Sequence, residues 1–194
     1  MVEHRKQIHH YHQPGDLHEL TFSCYRQMPL LTENAWLEIL CRCIDRAMQR
    51  WQFRLVAFVL MPEQMHLLVY PTKMPARIDQ LLASIKQPFS VRIKRVLETV
   101  ENPLLGRLTV RERPGKMSFR FWQEGPGYDR NLDTEKSTLA AIDYFHLNPV
   151  RRLLVNRATD WKWSSAAWYL SDRQTVDKDL PTIHGLPADF FVLR

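Results

Sequence analysis

Alternating and continuously apolar runs divide the first part of the chain into strands and a helix. Residues 17–26 alternate between polar and apolar side chains, which predicts a β-strand. Thr32 offers an N-cap to a helix that runs to about Trp51 with its apolar residues on one stripe. Residues 53–60 and 64–70 are strongly apolar and are joined by a tight turn, so they predict a hairpin of two buried strands.

Helical periodicity returns in the middle of the chain. Apolar residues at helical spacing predict a helix over 76–100, and Pro88 should kink or break it just before the proline. Residues 107–113 and 117–122 then predict a second hairpin or a pair of extended arms. The segment 123–129 has the composition of a loop.

A third helix follows, and the order of elements indicates the fold class. Asp133 or Thr134 should cap this helix, which should falter at Asn148 because the residue before a proline avoids helical dihedrals. The resulting pattern predicts an α+β fold with a ferredoxin-like βαββα core, in which an antiparallel sheet packs on helices, with extra β and helical elements. We expect one domain over 1–170 and a C-terminal tail over 171–194.

Two short motifs bring four functional side chains onto facing surfaces of these elements. Gln64 and His66 are two residues apart in a strand, so both leave the same face of the sheet. Tyr144 and Asn148 are four residues apart, on one face of a helix. If the strand and helix pack together, an imidazole, two amide oxygens and a phenol converge. That set suits a divalent cation that holds a phosphodiester for attack by a tyrosine, and it indicates DNA strand cleavage and rejoining.

Composition and charge agree with a nucleic-acid partner. The chain has 194 residues with 45% hydrophobic content, and its formal net charge of +6 favours polyanionic partners. No Gly-rich phosphate loop is present. No apolar run approaches the roughly 18 residues of a membrane span, and the N-terminus leads into polar histidines rather than an apolar signal core. We therefore expect a cytoplasmic protein with no membrane association.

The cysteines and the N-terminal histidines do not form a recognisable metal site. Cys24, Cys41 and Cys43 have no disulfide-framework spacing, and we expect reduced, mostly buried thiols. The N-terminal histidines lack the spacing of a structural zinc site, and we expect polar loop residues or an early phosphate contact instead. These histidines are His9, His10, His12 and His18.

The motifs together resemble those of the REP-associated tyrosine transposases. Residues 59–69 read V-L-M-P-E-Q-M-H-L-L-V, residues 144–150 read Y-F-H-L-N-P-V, and 161–165 read W-K-W-S-S. These transposases belong to the IS200-like, single-tyrosine class, in which a hydrophobic residue separates two metal-binding histidines. The resemblance covers about residues 8 to 170.

The resemblance implies a role for each matching residue. Tyr144 would be the nucleophile, and His66 and Asn148 would bind a divalent cation, Mg²⁺ or Mn²⁺. Gln64 stands where the family has its first histidine. A glutamine amide oxygen suits hard cations but is a poorer donor than imidazole for softer metals, so we expect weak cation binding. Glu63 and His146 are candidates for accessory roles, with His146 assigned to DNA contact or to structure.

The expected substrate is single-stranded DNA that folds into short imperfect hairpins. Basic residues near aromatic ones would track phosphates while the rings stack unpaired bases, although the aromatics Phe119, Phe121, Trp122 and Tyr128 could equally belong to the core. The resemblance favours a monomer, with a homodimer as the alternative. The basic candidates are Arg107, Arg111, Arg113, Lys116, Arg120, Arg130, Arg151 and Arg152.

Two functions remain open at this level. One is a DNA nicking and joining enzyme that acts on repetitive extragenic palindromes through a 5′-phosphotyrosine intermediate. The alternative is a catalytically impaired protein that binds the same hairpins, which the replacement at Gln64 favours. Basic and aromatic surfaces do not by themselves distinguish DNA from RNA, so an RNA-hairpin binder is a third reading.

Overall fold

A computed structural model describes residues 16–125, 127–174, 177–186 and 190. It contains two short 3₁₀ turns besides the following regular elements. The strands are β1 (Leu17–Ser23), β2 (Phe53–Leu60), β3 (Gln64–Pro71), β4 (Thr109–Arg113), β5 (Lys116–Phe119) and β6 (Tyr128–Leu132). The helices are α1 (Asn34–Trp51), α2 (Ile78–Thr99), α3 (Leu104–Leu108), α4 (Glu135–Arg151) and α5 (Ala166–Leu170).

Four strands form the main sheet, in the order β2-β3-β1-β6, and every neighbouring pair is antiparallel. This is the strand order of a ferredoxin-like sheet, with β6 as its fourth strand. The strands β4 and β5 form a separate two-stranded hairpin. The predicted α+β class and antiparallel sheet are therefore confirmed. Among the described residues, no helix has the length and apolar character needed to span a membrane.

Helices cover both faces of the main sheet. On β3, Met65, Leu67 and Val69 belong to the core that contains the apolar faces of α1 and α2. Leu68 belongs instead to a second core with Phe145 and other α4 residues. Because side chains alternate along a strand, His66 lies on the same face as Leu68 and points towards α4. The fold thus places the predicted strand motif under the predicted helix motif.

The described part of the C-terminal segment packs onto this domain. Strand β2 is an edge strand, and the backbone N–H of His184 donates to the carbonyl of Leu55 on it. Leu180 and Ile183 pack against the α1 and α2 core, and Leu186 packs against the α4 core. Residues that the sequence places in a tail therefore protect one edge of the sheet.

Two local predictions were wrong, and the break that a third offered at Pro88 is absent. Helix α1 has its N-cap at Glu33 rather than Thr32, without a side-chain capping bond. Helix α2 continues through Pro88, since a proline removes only one hydrogen bond of the ladder and Ile85 and Phe89 anchor that turn in the core. Helix α4 likewise continues past Asn148 and Pro149 to Arg151. In both helices burial of the apolar face outweighs the tendency of proline to interrupt a helix.

The strand β6 is a further difference, because its first two residues, Tyr128 and Asp129, fall in the segment expected to be a loop. The sequence of β6 is polar, and only Leu132 within it is fully buried. Its pairing with β1 brings Arg130 beside Glu19 and Asp129 beside His18. Polar pairs between strands therefore replace the apolar alternation by which a strand is usually recognised.

Candidate functional site

His66 is the central side chain of the candidate site. It lies on β3 opposite Thr21 of β1, and only 3% of its surface is exposed. Its Nδ1 atom is 2.7 Å from Thr21 Oγ1, and its ring packs on Phe145 of α4 with centroids 5.3 Å apart. Burial lowers the pKa of His66 to about 4, so the imidazole is neutral at physiological pH. A neutral imidazole has one unprotonated nitrogen that can accept a hydrogen bond or bind a metal ion.

Two carboxamides contact the Nε2 atom of His66. Gln64 Nε2 lies 3.1 Å and Asn148 Nδ2 lies 3.3 Å from His66 Nε2, so both amides donate to that nitrogen. In a neutral imidazole, the other nitrogen must then carry the proton, and Nδ1–H donates to Thr21. The two amides therefore select the tautomer that leaves Nε2 as an acceptor, and the contact with Thr21 stabilises it.

Helix α4 supplies the residues that face this nitrogen. A capping box between Thr134 and Ser137 starts the helix. Phe145 is fully buried and anchors its middle turn. Tyr144 and Asn148 are consequently held one turn apart over β3. Asn148 is 5% exposed, whereas Tyr144 is 39% exposed. The Tyr144 ring is nearly perpendicular to the His66 ring, at 88°, and the two ring centroids are 5.5 Å apart. The phenol is therefore both accessible and adjacent to the buried imidazole.

Cationic groups surround the phenol. The Arg151 guanidinium lies 5.7 Å from the centroid of the Tyr144 ring. Arg152 forms an ion pair with Glu63 in which Nη1 and Oε1 are 2.6 Å apart. This pair connects the end of α4 to the turn that precedes Gln64. Positive charge near the phenol favours an approaching phosphate.

The donor set partly satisfies the requirements of a divalent cation. His66, Gln64 and Asn148 converge, and amide oxygens are acceptable ligands for Mg²⁺ or Mn²⁺. All three groups are neutral, and both amides turn their nitrogens to His66, so each must rotate by half a turn to offer oxygen. Among the described residues, no cluster of three or more His, Cys, Asp or Glu side chains could hold a metal ion. These side chains therefore fit a weakly held cation, whose remaining ligands and counter-charge would have to come from outside the three residues.

The predicted basic residues occupy three regions rather than one cluster. Arg111, Arg113 and Lys116 lie on the β4–β5 hairpin, with Arg107 on the preceding helix α3. Arg151 and Arg152 lie at the end of α4, beside Tyr144. Arg120 follows β5 and Arg130 lies on β6, and both form ion pairs, as Lys116 and Arg152 also do. Arg120 binds Glu124 at 2.7 Å, and Arg130 binds Glu19 on the sheet face that carries His66.

The predicted aromatic residues divide between core and surface. Phe121 and Trp122 are buried among core rings, with 1% and 7% of their surfaces exposed, so they cannot stack on a base. Phe119 is partly buried against the same core. Tyr128 is 50% exposed and lies opposite Thr21, in the same cross-strand row as His66. Of this set, Tyr128 is the ring available for stacking.

The accessory candidates have structural contacts. His146 points away from Tyr144, and its Nε2 lies 2.8 Å from Ser165 Oγ, with its ring on Tyr169. Burial lowers the pKa of His146 to about 4. Of the two roles considered for it, the geometry favours the structural one. Cys24, Cys41 and Cys43 are buried free thiols, as expected. His18 is a buried residue of β1, while His9, His10 and His12 lie outside the described residues.

Sequence reasoning missed Thr21. Its hydroxyl contacts His66 only because β1 and β3 pair in one particular register. The alternation of β1 places Thr21 on a definite face, but nothing local identifies its partner 45 residues away. The signal that could have found it is a polar β-branched residue on an otherwise buried strand face.

Comparison with known proteins supports the fold. No protein-family model matches the chain, and no curated protein matches it. The solved structure of a REP-associated tyrosine transposase bound to a REP hairpin matches over 94% of this chain and 98% of its own, with a TM-score of 0.65 and 17% identity. A crystal structure from Deinococcus radiodurans R1, assigned as a transposase, matches over 76% of this chain and 97% of its own at 16% identity. Its TM-score of 0.44 is too low to bear on the fold. The chain has the fold of a REP-associated tyrosine transposase, as its motifs predict.

Proposed function

We propose that the chain is a single-tyrosine DNA nicking and joining enzyme that acts on single strands folded into imperfect hairpins. The observation that carries the proposal is the convergence of Gln64 and Asn148 on His66 Nε2, with the exposed Tyr144 ring against the same imidazole. The structural neighbour with this fold was solved with a REP hairpin bound, and that supports the choice of substrate.

Each side chain has a defined part in the proposed reaction. His66, held as the Nδ1–H tautomer by Thr21, would bind a divalent cation through Nε2 together with Gln64 and Asn148. A bound cation would neutralise the scissile phosphate and lower the pKa of groups beside it. Arg151 lies over the Tyr144 ring and would contact the phosphate that the Tyr144 oxygen attacks.

The chemistry requires no external energy. The phenolate oxygen of Tyr144 forms a bond to phosphorus, and the bond from phosphorus to the 3′ oxygen breaks. The products are a 5′-phosphotyrosine and a 3′ alkoxide that takes up a proton. Because an aryl phosphate is a reactive ester, attack by a 3′-hydroxyl reverses the step and rejoins the strand. Nicking and joining are therefore one reaction in two directions.

The covalent adduct is the direct test. Wild-type protein mixed with labelled hairpin strands and Mn²⁺ should form an adduct that survives denaturing electrophoresis, because the phosphate is esterified to Tyr144. Tyr144→Phe should abolish it, since a phenyl ring has no nucleophilic oxygen. Tyr128→Phe is a matched control on an exposed tyrosine of the same surface and should leave the adduct intact. An adduct that persists in Tyr144→Phe would exclude this nucleophile.

A second candidate function is hairpin binding without cleavage. The replacement at Gln64 favours it, because a neutral amide is a poorer cation donor than an imidazole. In this case Gln64→His should restore a second imidazole. We expect it to tighten Mn²⁺ binding by about tenfold or more, measured by calorimetry, since imidazole is a better donor than an amide. Equal affinity in the two proteins would remove Gln64 as the reason for weak activity.

A further inference from the structure

Leu153 is the most unusual apolar residue on the surface. It follows the C-cap of α4 and is 91% exposed. Its backbone has a φ of +56°, in the left-handed region that favours glycine. Seven non-glycine residues of the described chain have a positive φ, and Leu153 is the only apolar one among them. The chain thus tolerates backbone strain to present a leucine that gains almost nothing from its own fold.

The backbone around Leu153 is held in place by hydrogen bonds. The N–H of Leu154 donates to the carbonyl of Pro149, and the N–H of Leu153 donates to that of Val150, both at 2.9 Å. This is the Schellman arrangement, whose left-handed position is normally a glycine. Because these bonds fix the backbone, the Leu153 side chain projects in one direction. A fixed, exposed, strained residue beside a reactive site is a candidate for function rather than for packing.

Leu153 lies two residues beyond Arg151, whose guanidinium reaches the Tyr144 ring. Tyr144, Leu147 and Arg151 share one face of α4 by their spacing. Leu147 on the helix and Leu154 just beyond its end are 41% and 42% exposed. The Arg152 side chain, at the C-cap beside Leu153, is half exposed. Apolar side chains that project between arginines complement nucleic acid, since the bases offer apolar faces and the phosphates offer charge.

We propose that Leu153 is a wedge that packs on the bases where the hairpin stem meets the single strand leading to Tyr144. This inference rests on the proposed function, because it takes the hairpin as the substrate. Leucine is among the residues that proteins insert against base steps. The wedge would hold the stem end while Arg151 and Arg152 contact the neighbouring phosphates. It would thereby place the scissile phosphate at the phenol and determine how far from the stem the strand is cut.

The strain allows a clear test. Leu153→Gly removes the side chain at a position that favours glycine, so it should raise the melting temperature by a few degrees while weakening the complex. In a Tyr144→Phe background, affinity for hairpins with a single-stranded flank should fall about fivefold or more, as with loss of a stacked contact. Binding to linear strands should not change. The hairpins are imperfect palindromes taken from the DNA that flanks the gene. Leu139→Ala is the matched control, because Leu139 is also exposed on α4, at 51%.

A local probe completes the experiment. A 2-aminopurine at the junction should change fluorescence on binding to protein with Leu153, and this change should be lost with Leu153→Gly and retained with Leu139→Ala. Unchanged affinity and fluorescence in Leu153→Gly would overturn the wedge, as would a wild-type protein that binds no hairpin. A dimer in sedimentation velocity that Leu153→Gly dissociates would assign this surface to a second copy instead. None of these readouts depends on cleavage, so an absent Tyr144 adduct would contradict the proposed function without affecting them.

Discussion

The amides of Gln64 and Asn148 decide which nitrogen of His66 carries the proton. Both donate to Nε2, so the proton is on Nδ1, and the Thr21 hydroxyl accepts from it at 2.7 Å. Because the imidazole is buried and its pKa is lowered to about 4, it is neutral at physiological pH. From the neighbouring strand, Thr21 thereby adds to the control of the tautomer.

Thr21→Val tests this control of the tautomer. Valine keeps the shape of threonine but leaves Nδ1–H without an acceptor, which costs about 1–3 kcal/mol for a buried donor. We expect lower stability in urea denaturation and Mn²⁺ affinity reduced about 10- to 100-fold, as for other outer contacts to a ligating histidine. Thr21→Ser should restore both, because it retains the hydroxyl. Unchanged Mn²⁺ affinity in Thr21→Val would mean that the hydroxyl has no influence on the site.

At the scale of elements, strongly apolar segments were predicted well and polar ones were not. The bounds predicted for β2 agree with those observed, because its side chains from Leu55 to Leu60 are buried on both faces and form an apolar run. Strand β6 could not be recognised, because it is held by pairs such as Arg130 with Glu19 that exist only across the sheet. Side-chain periodicity was enough to predict which residues of β3 and α4 share a face. The contact of Thr21 with His66, in contrast, depends on strand register.

Helix α4 is docked through a buried histidine, and this makes its stability depend on pH. His146 bonds Ser165 and has its pKa lowered to about 4, while a histidine in the unfolded chain titrates near 6.5. Above pH 6.5 both states hold a neutral imidazole. As the pH falls towards 4, only the unfolded chain binds the proton, so the free energy of unfolding decreases.

His146→Gln should therefore flatten this dependence. We expect the free energy of unfolding of the wild type to fall more steeply between pH 6.5 and 4 than that of His146→Gln, by on the order of 1–3 kcal/mol across the interval. Urea denaturation at several pH values measures both slopes. Comparing slopes removes the contribution of carboxylates, which titrate in both proteins. Parallel slopes would show that His146 takes up its proton as readily in the folded protein as in the unfolded chain.

At the scale of the whole molecule, the basic residues of the β4–β5 hairpin and the tyrosine site belong to different elements of the fold. The β4–β5 hairpin forms its own small sheet and carries Arg111 and Arg113 as exposed side chains. His66 lies in the main sheet under α4. This separation suggests that strand affinity and strand cleavage can be altered independently. The net charge of +6 provides the long-range attraction that both require.

Paired substitutions measure this independence. Arg111→Ala and Arg113→Ala should weaken binding to all single strands, and each should reduce the slope of log affinity against log salt by about 0.7 if it removes one phosphate contact. Mn²⁺ binding should be unaffected. His66→Ala should do the reverse, abolishing the covalent adduct while leaving hairpin affinity in fluorescence anisotropy close to the wild type, since one neutral side chain contributes little to a polyanion interface. Circular dichroism confirms that each variant is folded. If hairpin affinity collapses in folded His66→Ala protein, the site itself organises the DNA-binding surface, and the two functions cannot be separated.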